Sequence, residues 1–251
     1  MKAKYSVPVV VAAMALMVFA VPVHASKIDS RIESSAKQSY VFKTYLKGDD
    51  IKIQSKDGVV TITGTVMQKS HISLAQETVA DLPGVKSVDN KLEVKGAPAT
   101  ANSDEWLRDK VKMTLLFHKS VSSSTTEVNV KDGIVTLSGN AVSQVQKDLT
   151  TEYAKDVDGV KDVNNEMVIK KSTKASRTVG EKIDDASITT QVKMTLMYHR
   201  STSALKTKVV TKNGVVTLSG KAGNASEMKL ATKLASDVNG VKSVKNVMTI
   251  E

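Results

Sequence analysis

The sequence predicts an α+β chain of three tandem small α-β-β-α-β sandwich modules, each a three-stranded mixed sheet covered by two helices. Two observations predict it. First, the chain repeats itself: Gly58, Gly64 and Gly84 recur at one constant offset as Gly133, Gly139 and Gly159, and at a second constant offset as Gly214, Gly220 and Gly240. Asn90, Asn165 and Asn246 keep the same two offsets, so the distance from the first glycine of a copy to its asparagine never changes. Length varies only between copies, so each copy is a folding unit. Second, every copy runs through one order of patterns: a helical stripe, two β-type runs joined by Asp-Gly or Asn-Gly, a second helical stripe, and an alternating run. The expected modules are residues 26–96, 103–170 and 182–251, with linkers at 97–102 and 171–181.

Residues 1–25 read as a signal peptide. Lys2 and Lys4 precede an apolar run, Val7 to Val21, and Val23-His24-Ala25 offers small residues before a cut between Ala25 and Ser26. The stretch from Pro8 to Pro22 is shorter than the roughly 20 residues that span a bilayer. The expectation is therefore an exported, soluble periplasmic protein. There is no cysteine, which excludes disulfides, thiolate chemistry, Cys-ligated zinc and an acylated N-terminal cysteine, so a lipoprotein is not expected.

The second copy shows the elements most clearly. Ser103 is placed to cap a helix with Asp104 and Glu105 in its first turn, and Leu107, Val111 and Leu115 recur at helical spacing, with Trp106 expected on the core side. Val128 and Val130 alternate with polar residues up to Asp132-Gly133, and Ile134–Leu137 comes next, a hairpin whose turn needs positive φ. Gly139 is expected to end the second strand. Ser143 with Gln146, and Asn224 with Glu227, form capping boxes for the second helix; in the first copy Ser70 stands in. Gly159, Gly240 and Pro83-Gly84 are expected to stop that helix. Val163, Asn165, Met167 and Ile169 then alternate as a last strand. A module of about 70 residues buries only about 60% of its unfolded surface, so contacts between modules would help; whether they form is left open.

Charge is uneven. The whole chain carries +10; residues 26–100 hold +2, residues 101–171 hold −1 and residues 172–251 hold +7. Such a field favours an anionic partner, and export makes nucleic acid a poor one.

The hairpin Lys131–Gly139, the stretch Asp158-Gly159-Val160-Lys161-Asp162-Val163-Asn164-Asn165 and their equivalents in the flanking copies resemble the BON domain, named for bacterial osmotically inducible and nodulation proteins. The resemblance covers essentially all of the chain after residue 25. It implies a small α/β sandwich, a periplasmic location and a part in envelope integrity under osmotic or other stress, in proteins held to bind phospholipid or to assist other envelope proteins, without enzymatic activity. It offers no catalytic residues.

The residues agree. No nucleophile, acid/base pair or phosphate loop is recognisable, and no catalytic, cofactor or metal site and no small-molecule substrate is expected. His118 and His199 are equivalent, where the first copy has Lys43, and a basic group there suits a helix C-terminus; His71 stands alone and reads as a surface residue. Asn90, Asn165 and Asn246 share parity with core residues and are expected to bond neighbouring backbone. The candidate contact is Lys206, Lys208 and Lys212, on one face of the third module's first strand, where the second copy has Thr125, Glu127 and Lys131 and the first has Asp50, Lys52 and Lys56. Lys221, Lys229, Lys233, Lys242 and Lys245 support it. Strand lysines also keep a sheet edge from pairing. The expected partner is an anionic phospholipid surface; the alternative is a chaperone-like or adaptor role on exported or outer-membrane proteins. The oligomeric state is left open.

Overall fold

The computed structural model describes residues 23–96, 103–121, 123–170, 182–202 and 207–251. The expectations for residues 1–22 and for Lys206 lie outside them. The first module contains α1 (Val23–Gln38), α2 (Tyr40–Thr44), β1 (Asp50–Lys56), β2 (Val59–Val66), α3 (Lys69–Ala80) and β3 (Ser87–Val94). The second contains α4 (Asp104–Phe117), β4 (Thr126–Lys131), β5 (Ile134–Ala141), α5 (Gln144–Lys155), β6 (Asp162–Asn165) and β7 (Val168–Ile169). The third contains α6 (Asp185–Tyr198), β8 (Thr207–Lys212), β9 (Val215–Ala222), α7 (Ala225–Ser236), β10 (Ser243–Asn246) and β11 (Thr249–Ile250). The α+β module architecture is as the sequence predicts. In each sheet the middle strand pairs antiparallel with its hairpin partner and parallel with the strand after the crossover helix.

The hairpin turns are left-handed at both central residues: φ is 54° at Asp57, Asp132 and Asn213, and 79–81° at the glycines beside them. That is the primed turn which matches the twist of paired strands. Two glycine expectations need correction. Gly64, Gly139 and Gly220 do not end their strands, which run two residues further. They stand inside at φ 109–121°, and a Cβ on Gly139 would lie 2.0 Å from the Thr125 carbonyl oxygen. Gly84, Gly159 and Gly240 do not stop the crossover helices, which close at Asp81, Asp156 and Asp237. They let the next turn press on the opening helix: a Cβ on Gly159 would meet Leu107 at 2.7 Å.

Capping matches the sequence in two modules. Ser103 accepts from Trp106 N, Ser143 from Gln146 N and Asn224 from Glu227 N, at 2.9–3.3 Å, while Gln146 and Glu227 reach back to the amides of Val142 and Gly223. In the first module Ser70 does not cap; its buried hydroxyl has no partner. Asp49 serves instead, accepting from Met67 N at 2.8 Å and pairing with His71 at 2.6 Å. His71 is therefore a paired residue rather than an isolated surface one.

In the second and third modules the last strand is interrupted. Asn165 Oδ1 accepts from Met167 N at 3.0 Å and Asn246 Oδ1 from Met248 N at 2.9 Å, as Asn90 Oδ1 does from Leu92 N at 3.1 Å in the unbroken β3; the bonds to the middle strand come from the residues between, Glu166 N and Val247 N. The sheets so count four strand segments rather than three. Each asparagine also donates to a carbonyl of the crossover helix, at Ile72, Lys147 and Met228, so it ties strand to helix in all three copies.

The modules pack together. Helix α6 is buried on nearly its whole circumference, although Ser187, Thr189, Thr190 and Gln191 are polar. Tyr40 N donates to Asp184 and Val41 N to Ser187 Oγ, at 2.7 and 3.1 Å, and Lys193 reaches Asp81 and Glu77 at 2.9 and 3.0 Å. The first module's core takes in Met113 and Phe117 of α4 and Ala186, Met194 and Tyr198 of α6. The second and third modules meet about a pseudo-two-fold axis: Lys119 N donates to Asp237 O and Arg200 N to Asp156 O, while Asn239 N donates to Phe117 O and Asp158 N to Tyr198 O, all at 2.8–3.0 Å. Packing between modules supplies the burial that a unit of about 70 residues lacks alone.

Candidate functional site

Alternation sorts each sheet into a face under the helices and a face open to solvent. On β8, Val209 is buried and Thr207 and Thr211 half-buried, while Lys208, Val210 and Lys212 are exposed. The register carries this face across the sheet. Lys208 stands opposite Ser219, Val210 opposite Thr217 and Lys212 opposite Val215 on β9; Lys245 of β10 flanks Thr217 on the other side. Lys221 continues the row on β9 beside Thr249. Four lysines thus share one open face. The strands β8 to β11 carry no acidic residue at all; the acid nearest in sequence is Glu251, just past the end of β11. With a rise of about 3.3 Å per residue and about 4.8 Å between strands, the four lysines, which reach from the level of Val215 to Lys221 on β9, occupy roughly 20 by 10 Å. Between them Val210, Val215 and Val247 are 40–50% exposed.

The equivalent faces differ. In the second module Glu127, Asp162 and Glu166 stand against Lys131, with Lys170 just past the end of β7. In the first, Lys52, Lys56 and Lys91 are balanced by Asp50, Asp89 and Glu93, and Lys91 pairs with Asp89 at 2.9 Å. Of the predicted stripe, the structure places Lys208 and Lys212 and joins Lys221 and Lys245 to them. Lys229 and Lys233 lie exposed on α7, which covers the other face of the sheet. The Lys242 ammonium is engaged, donating to the Asn213 carbonyl at 3.0 Å.

Three features went unread in the sequence. Asp29, Asp104 and Asp185 each clamp the hairpin turn of their own module: the carboxylate accepts from the amides of Asp57 and Gly58, Asp132 and Gly133, or Asn213 and Gly214, at 2.7–3.0 Å. The recurring 29-residue step from aspartate to turn glycine was the available signal. Bonds from Ser55 Oγ, then from the turn amides, hold the Asp29 carboxyl below the usual carboxylate range. Trp106 is half-buried and outside the cores; its ring lies under the Lys110 ammonium at 3.9 Å. His118 and His199 stand at the C-termini of α4 and α6, as expected, with His118 Nδ1 2.7 Å from the Thr114 carbonyl, but both are buried where the second and third modules meet. Burial, the leading cause for each, pushes both imidazoles below their usual pKa. Among the described residues no group of three or more His, Asp or Glu side chains is placed to hold a metal ion, and no helix is long and apolar enough to cross a membrane.

The sequence matches the BON domain over residues 28–96, 103–171 and 184–251. The chain belongs to the BON domain family. Among BON proteins it is similar to the osmotically-inducible protein Y of Escherichia coli strain K12, with 34% identity over 146 residues, 57% of this chain and 73% of that one. It is also similar to the outer membrane lipoprotein DolP of Haemophilus influenzae, with 36% identity over 116 residues, 46% of this chain and 58% of that one. A 21 kDa hemolysin of Actinobacillus pleuropneumoniae is 30% identical over 151 residues, 59% and 75% of the two chains. Each BON module here carries the same three glycines, aspartate clamp and asparagine tie; the modules differ in what their open faces present.

Proposed function

We propose that this is an exported, non-enzymatic envelope-stress protein that contacts anionic phospholipid surfaces through the open sheet face of its third BON module. The observation that carries the reading is the cluster of Lys208, Lys212, Lys221 and Lys245 on one exposed face, built from strands that carry no acid. Near an anionic leaflet each lysine contributes about 1 kcal/mol, so four acting together supply up to about 4 kcal/mol, roughly a thousandfold in affinity. The valines between them can rest at headgroup depth without insertion. Similarity to an osmotically inducible protein and to an outer membrane lipoprotein supports placing the chain in the envelope under osmotic or related stress.

A second reading, binding of exported polypeptides, is favoured by a different observation. Val142, Val145 and Ile169 are 43–68% exposed at the open end of the second module, where the third module has Gly223, Ser226 and Ile250. Salt separates the two. The screening length falls from about 10 Å at 0.1 M to about 3 Å at 1 M, which weakens headgroup contact and leaves apolar capture intact. Flotation of the chain from Ser26 onward with anionic vesicles at low salt, lost at 1 M salt and absent with zwitterionic vesicles, is the expected result. No flotation with anionic vesicles at low salt sinks the lipid reading.

A further inference from the structure

The contact between the second and third modules contains two equivalent histidines. His118 closes α4 and His199 closes α6, and they are 2% and 9% exposed. Nδ1 of His118 lies 2.7 Å from the Thr114 carbonyl, so in the neutral ring the proton sits there and Nε2 is bare. His199 takes the other tautomer: its Nδ1 accepts from Ser201 N at 3.0 Å, which leaves the proton on Nε2, 3.5 Å from the Asp156 carboxylate. Neither Nε2 has a hydrogen-bond partner, and the same holds for the Thr114 and Thr195 hydroxyls. All four residues line one small cavity between the modules.

The charged and titratable groups facing the pair are few. From α5 and its end come Tyr153, whose ring stacks on His118 at 3.9 Å, and Asp156. From the end of α7 comes Asp237, already taken by the hydroxyls of Tyr153 and Ser120. From the end of α6 comes Arg200, whose charge disfavours a second cation. Asp156 is the carboxylate facing His199, and it is 44% exposed.

We propose that this pair is an acid-sensitive lock, and that protonating the two rings opens the contact between the second and third modules. A protonated His118 gains an Nε2–H with no acceptor in contact. A protonated His199 turns Nδ1 into a donor against the Ser201 amide and loses that bond. The sign comes from burial: both groups bind protons less readily folded than unfolded, so their contribution is complete above about pH 6.5, the ordinary histidine value, and is lost as pH falls below it. The Asp29 clamp, held below the usual carboxylate range, titrates well under that window, so acid acts on the contact before it acts on the first module's hairpin. This inference does not depend on the lipid reading.

Hydrogen-exchange protection of the four amides that bridge the modules (Lys119, Asp158, Asn239 and Arg200) tests it, with Val135 in the second module's core as reference. In the full chain the bridging amides should lose at least tenfold in protection relative to Val135 between pH 7 and pH 5. The variant His118→Asn/His199→Asn, whose amides can keep the Nδ1-side bonds without titrating, should lose none. An equal loss in the variant, or no loss in the wild type, overturns the proposal. NMR titration of the wild-type rings gives a second reading that needs no variant: midpoints at or above the ordinary histidine value, or a loss of protection that does not track them, overturn it too.

Discussion

Replacing Asp104 with alanine removes the clamp that fastens the second module's hairpin to its opening helix. The carboxylate accepts from Asp132 N at 2.7 Å and from Gly133 N at 2.9 Å. The two amides respond differently to its loss. Asp132 is exposed and its N–H turns to water, whereas Gly133 is buried, and a buried amide without a partner costs about 1–3 kcal/mol. The acid in the first helical turn adds about 0.3–1 kcal/mol through the helix dipole. The expected loss is about 2–3 kcal/mol. At about 2–4 °C per kcal/mol for a chain of this size, thermal unfolding followed by circular dichroism should shift down by roughly 5–10 °C, and the Gly133 amide should exchange faster than its neighbours on β4 and β5. Asp104→Asn, which keeps one acceptor oxygen, should lose about half as much. A loss for the alanine variant below about 0.5 kcal/mol, the low end for a single net hydrogen bond, with Gly133 still protected, would refute the assignment of these aspartates as clamps.

Two further substitutions test the other repeated features. Gly139→Ala places a methyl 2.0 Å from the Thr125 carbonyl at φ 109° and should cost more than about 2 kcal/mol in urea unfolding, whereas Gly96→Ala, with a similar φ but open space around it, should cost about 1 kcal/mol or less; equal costs would remove the steric argument. Asn246→Leu keeps the volume but abolishes the ties to Met228 O, Thr232 Oγ1 and Met248 N. At about 1 kcal/mol per bond it should lower stability by roughly 2–3 kcal/mol, and a neutral result in the same assay would mean that the strand is held by its ladder alone.

The parts of this fold legible in the sequence are the local ones. Asp132-Gly133 specifies its turn through backbone conformation that neighbouring residues cannot alter, and the Ser143 and Asn224 caps need only residues three positions away. The long-range contacts are not readable in the same way. Asp104 reads as a dipole acid because its partners lie 28 and 29 residues on, and only the repetition of that step betrays them. Helix α6 offers a signal of another kind: its polar residues Ser187, Thr190 and Gln191 interrupt any single apolar stripe, and the structure buries Ser187 and Gln191 against the first module. His118 and His199 are visible as equivalents, but their burial depends on a contact between modules that no pattern within one module encodes. For the candidate site, alternation places Lys208 and Lys212 on the open face, while Lys221 and Lys245 join them only once the strand register is known.

On the proposed reading, the position of these lysines, rather than the charge of the third module as a whole, makes the anionic contact. Vesicle flotation of two variants matched in charge tests it directly: Lys208→Gln/Lys245→Gln on the open sheet face, and Lys229→Gln/Lys233→Gln on α7. Each removes two positive charges. If position governs, the sheet variant at low salt loses about 2 kcal/mol of binding to anionic vesicles, roughly thirtyfold, while the helix variant stays within a few-fold of the parent chain. Equal loss in both variants would contradict it, by showing that net charge alone governs the contact.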